Sequence, residues 1–174
     1  MSKVLVIGYG NPGRQDDGLG PAAAEAVERL APPDVTVEAR FQLGVEDAAA
    51  IAAHDVVVFI DAAVEGPEPF AFHPVTPKPA LDFSSHLLEP PALMALARDT
   101  LGAQTQGYVL AIRGYRFDEF GDRISTRARM NLAMAVLFVK SVLGKGLLPV
   151  SKGDATPAGH AGCAGAALSR GGRR

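Results

Sequence analysis

The sequence predicts a single α/β domain in which a mostly parallel sheet lies between helices. Two uninterrupted apolar runs of strand length, Val4-Leu5-Val6-Ile7 and Val56-Val57-Val58-Phe59-Ile60, read as central strands covered on both faces. Helix-period segments alternate with strand-like ones between and after them, the order of a β-α-β chain. The length of 174 residues suits one such domain and is short for two. With 48% hydrophobic and 21% charged residues, the composition is that of a globular protein.

Each element follows from its residues. Behind the first apolar run, Pro21 to Leu30 repeats Ala22, Ala23, Ala26, Val27 and Leu30 on one helical face, and Pro32-Pro33 ends it. Val35 to Phe41 alternates with period two, as a strand nearer an edge does. Val45 to Ala53 is a short alanine-rich helix leading into Val56 to Ile60. Residues 62 to 91 are rich in proline and glycine and read as one long connection with a short strand at Phe70-Ala71-Phe72. Pro90-Pro91 suits the first turn of a helix that Gly102 closes, Tyr108 to Ile112 is a further strand, and Ser125 is placed to cap a last helix. That helix runs through Met130, Ala133, Met134, Leu137, Phe138 and Val142 to Gly144. The domain is expected to span 1–148, with 149–174 a flexible Gly/Ala/Arg-rich tail holding His160 and Cys163.

Several function classes lose support at once. A net charge of -2 offers no basic surface to a nucleic-acid backbone. The lone cysteine permits no internal disulfide, nothing after Met1-Ser2-Lys3 resembles a secretion signal, and no apolar run reaches the ~20 residues of a bilayer span. The expectation is a cytoplasmic protein that binds neither nucleic acid nor membrane. Nothing in the surface pattern demands a second subunit, so a monomer is expected.

Gly8-x-Gly10-x-x-Gly13 has the spacing of a dinucleotide-binding turn. A nucleotide- or phosphate-binding module is therefore one reading. Against it, Pro12, Gly18, Gly20 and Pro21 separate the turn from the helix start, and Asp16 and Asp17 stand where a phosphate needs donors. Two adjacent carboxylates at the carboxyl end of a parallel strand attract a cation instead. One of the pair is explained as a cap or Asx-turn residue; the second requires another role. Asp61 ends the second apolar run and faces the same crevice, and His86 follows Ser84-Ser85 ahead of a proline-started helix. Two carboxylates and an imidazole form an N/O set with open positions, suited to nickel, zinc or iron rather than calcium.

The sequence resembles the hydrogenase maturation protease family, the endopeptidases that trim the C-terminal extension from the large subunit of nickel-iron hydrogenases. The resemblance rests on Gly8-Tyr9-Gly10-Asn11-Pro12-Gly13-Arg14-Gln15-Asp16-Asp17-Gly18-Leu19-Gly20, Phe41-Gln42-Leu43, Phe59-Ile60-Asp61-Ala62, Ser84-Ser85-His86-Leu87 and Arg113-Gly114-Tyr115-Arg116-Phe117, in that order, with Ser125 ahead of the last helix. It covers about Lys3 to Leu143. It implies a five-stranded twisted sheet in a three-layer αβα sandwich, and ligation of the substrate's own nickel by Asp17, Asp61 and His86. Zinc or cadmium would fit the same donors. Asp16 is assigned a supporting role in the loop. The implied partner is the precursor of a hydrogenase large subunit. No Gly-x-Ser-x-Gly elbow or His-Glu-x-x-His helix offers a rival catalytic apparatus.

Overall fold

The computed structural model describes residues 2–79 and 88–146. Within them run β1 (Val4–Tyr9), α1 (Leu19–Glu28), β2 (Val35–Arg40), α2 (Asp47–Ala52), β3 (Val56–Ala63), β4 (Phe70–Val75), α3 (Pro90–Leu101), β5 (Gln106–Arg113) and α4 (Thr126–Lys145), with one turn of 3-10 helix, Gln15–Gly18, ahead of α1. The five strands form one sheet in the order β2-β1-β3-β5-β4. β1 pairs in parallel with β2 and β3, β3 pairs in parallel with β5, and β4 runs antiparallel along β5.

Alternation along the strands builds a core on each face. Val6, Val58, Ile60, Leu110 and Ile112 meet Leu19, Val27, Ala128, Ala135 and Val139 of α1 and α4. Leu5, Ile7, Val57 and Phe59 meet Ile51, Leu93, Met94 and Ala97 of α2 and α3. The central strands are apolar at successive positions because both faces are covered. Fully burying a side chain such as Phe59 or Leu93, both 0% exposed, contributes about 1.5–3 kcal/mol each.

Four expectations change. β3 continues to Ala63, so Asp61 lies inside the strand, opposite Ala111 of β5, and does not end it. The long connection over 62–91 contains a six-residue edge strand, because Phe70 and Phe72 pack on Phe138 and Tyr108 and hold the segment against β5. The last helix ends at Gly146, whose φ of 58° is the left-handed conformation glycine adopts freely, and not at Gly144. Finally, α4 buries Ala128, Asn131, Ala135, Val136 and Val139, while Met130, Met134 and Leu137 face outward. Apolar residues sit on both sides of this helix, so periodicity alone did not select the inner one. His86 and the expected tail lie outside the described residues. Among the described residues, no helix is long and apolar enough to cross a membrane.

Candidate active site

The chain leaves β1 toward β2 on one side and, after α2, returns to β3 on the other. The connections that leave the carboxyl ends of β1 and β3 therefore run to opposite sides, which opens a crevice at the switch point of the sheet. A cleft of about 530 Å³ occupies it, with Tyr9, Arg14, Asp17, Asp61, Leu88 and Glu89 among its lining residues.

Asp17 enters from the 3-10 turn, and its Oδ2 accepts the Asn11 N–H at 3.0 Å. Asp61 enters from β3, and its Oδ1 accepts the Ala62 N–H at 2.7 Å. Burial pushes the Asp61 carboxyl up, the bonds from Ala62 and the Tyr9 hydroxyl pull it down, and the nearby Asp17 charge adds a further push, leaving it at about 6. Tyr9 is the residue that sequence reasoning missed. Gly8 pairs with Ile60, so the next residues, Tyr9 and Asp61, lie side by side on adjacent strands. The Tyr9 hydroxyl is held far above its ordinary range by burial, then by the Asp61 charge and its hydrogen bond. A polar-tipped aromatic closing an apolar strand was the available signal.

Asp16 has a different setting. It is fully buried, and its Oδ2 accepts from Tyr115 N at 2.8 Å, Arg116 N at 3.0 Å and the Ser125 hydroxyl at 2.8 Å, while Oδ1 accepts from Ser125 N at 2.6 Å. Burial raises this carboxyl, but the four bonds outweigh it and hold it below the usual range. Asp16 thus ties the first loop to the β5–α4 connection. Gln15, with a φ of 51°, is fixed in the same way by a 2.7 Å bond from its N–H to Gly121 O.

The glycine turn is not a phosphate cradle. From Gly10 to Asp17 every backbone N–H is already donated within the protein, to Arg40 O, Asp17 Oδ2, Asn11 Oδ1, Asn11 O, Gly121 O, Arg116 O and Arg14 O in chain order, Pro12 having none. The glycines serve close packing instead. A Cβ on Gly10 would lie 2.1 Å from Asp17 O, and one on Gly20 would lie 2.1 Å from Tyr9 O. The nucleotide-module reading is therefore set aside, because an anion would find no free amide and two carboxylates.

Asp17 and Asp61, from separate elements, line the same cleft, close enough for the Asp17 charge to raise the Asp61 carboxyl. Among the described residues, no group of three or more His, Cys, Asp or Glu is arranged to hold a metal ion. His86, the expected third member, is outside them.

No protein-family model matches the sequence, and no curated protein matches it. Solved structures do. The chain has the fold of the hydrogenase maturation proteases: a five-stranded, mostly parallel α/β sandwich with its crevice at the carboxyl edge. It is similar to the [NiFe] hydrogenase maturation protease HycI from Thermococcus kodakarensis KOD1, with a TM-score of 0.65 and 23% identity over 82% of this chain and 93% of that one. It is also similar to the hydrogenase maturating endopeptidase HybD from E. coli, with a TM-score of 0.63 and 18% identity over 83% and 93%. A hydrogenase 2 maturation peptidase from a Thaumarchaeota archaeon matches at 0.60 and 19% identity over 82% and 98%.

Proposed function

We propose that this protein is an endopeptidase that removes the C-terminal extension of a nickel-iron hydrogenase large-subunit precursor after nickel insertion, reading the substrate's own metal through Asp17, Asp61 and His86. The observation that carries the proposal is the convergence of Asp17 and Asp61, from separate elements, in one open cleft of a fold shared with solved maturation proteases. Nickel held in the precursor would supply a Lewis acid beside the scissile carbonyl. The protein's own part is to offer two oxygen donors and one imidazole and leave the remaining positions to the substrate. Tyr9 orients the Asp61 carboxylate by its hydrogen bond, and Asp16 keeps the loop carrying Asp17 in place without facing the substrate. Zinc or cadmium would compete for the same donors.

The test incubates the purified protein with precursor, with and without nickel loaded, and weighs any released peptide. Cleavage of the loaded form alone is expected. His86→Ala should slow it by about 100-fold or more while leaving the fold intact, since a ligand matters at least as much as a group that orients one. Cleavage by that variant at the wild-type rate removes His86 from the mechanism, and equal cleavage of the nickel-free precursor removes the metal.

A further inference from the structure

α4 is apolar on two sides, and only one of them is covered. Its outward side carries Met130, Ala133, Met134 and Leu137, at the i, i+3, i+4 and i+7 spacing of a single stripe. Met130, Met134 and Leu137 are 65%, 54% and 64% exposed. A contiguous exposed stripe of large apolar side chains marks a contact surface more often than scattered ones do. Cations border the stripe on both sides. Arg127 and Lys145 lie about five turns apart on one border, and Arg129 and Lys140 about three turns apart on the other, all four exposed.

The helix contains four basic residues and no acidic one. This is local, because the whole chain carries a net charge of -2. The N-terminal pair also runs against the helix dipole: the first turn favours carboxylates, yet it holds Arg127 and, just behind it, Arg129, whereas Lys145 in the last turn agrees with it. Arg127 is offset by Glu68 at 2.7 Å. No ion pair joins Arg129, Lys140 or Lys145 to a carboxylate among the described residues.

We propose that this face is a docking site for a protein partner that presents an apolar helix bordered by carboxylates. Charge selects that occupant. A second copy of this chain would set Arg129, Lys140 and Lys145 against the same three cations, and the chain's own residues 147–174 carry Lys152, Arg170, Arg173 and Arg174 against a single Asp154. A membrane surface suits the stripe less well, since it has no aromatic side chain to seat at the lipid interface, whereas thioethers adapt to a protein ridge. The inference is independent of the peptidase reading.

Methyl-labelled methionines in the full chain provide the readout. Met130 and Met134 report on the stripe, and Met94, 3% exposed in the core, is the internal control. The probe is a designed helical peptide with a leucine stripe bordered by glutamates, and its counterpart has lysines in their place. The glutamate peptide should shift Met130 and Met134 but not Met94, at a Kd on the order of 100 µM. Combining Arg129→Glu with Lys140→Glu should weaken it about tenfold or more at an unchanged Tm. No shift at about 1 mM peptide, or equal shifts with the lysine peptide, overturns the proposal. So do shifts produced only by phosphatidylserine vesicles, and shifts that track protein concentration with a dimer's mass.

Discussion

Asp16 and Asp17 are adjacent in sequence and face opposite ways: one is sealed inside by four donors, the other is turned into the cleft. The pattern Asp-Asp cannot say which is which, because the choice is made by Tyr115, Arg116 and Ser125, about a hundred residues away. Asp61 is the titrating partner. The folded state, in which its pKa is about 6, holds its proton more tightly than the unfolded chain, whose carboxyl titrates near 3.8. Its contribution to stability is therefore fully present below about 3.8 and is lost as pH rises through about 6. Asp61→Asn should raise Tm at pH 7.5 by about 3 °C, a gain on the order of 1 kcal/mol, and the gain should vanish toward pH 4. Thermal scans at both pH values check this, and a pH-independent shift contradicts it.

Among the elements, α1 shows why composition and spacing were misleading about the glycines. Gly20 lies where the helix touches the sheet: an added Cβ would stand 2.1 Å from Tyr9 O and 2.6 Å from Ile60 O, both backbone atoms. In a free helix, alanine would be better than glycine by about 1 kcal/mol. Here the clash decides the sign. Gly20→Ala should destabilise the protein by about 2–3 kcal/mol, lowering Tm by roughly 5–10 °C, as a denaturant or thermal melt will read. An unchanged Tm would mean that α1 can lift from the sheet at no cost. α3 is the contrary case. Its two prolines at the start and Gly102, with a φ of 66°, at the end were readable directly, because its boundaries are set by local backbone chemistry.

For the whole molecule, the sheet order places the first loop and the end of β3 at one rim, and this makes the cleft acidic. A divalent ion that binds only the folded state stabilises it by mass action, about 2.7 kcal/mol at a hundredfold excess over Kd. Nickel or zinc should accordingly raise Tm, Asp61→Ala should abolish the rise, and ATP should leave Tm where it was, since the glycine loop has no amide to give. Stabilisation by ATP, or by metal in the Asp61→Ala variant, argues against the pair as a cation site.

The sequence by itself determined the α/β class, the two central strands, the boundaries of α3 and the Ser125 cap of α4. These are local or periodic properties: an apolar run, a proline, a glycine, a hydroxyl ahead of a helix. Tertiary structure alone decided which aspartate is buried, that Tyr9 stands beside Asp61, that the glycines serve contact rather than phosphate, and which face of α4 turns inward. Each of those depends on atoms brought together from distant parts of the chain, and a helix apolar on two sides carries no local mark of the side that will meet the sheet.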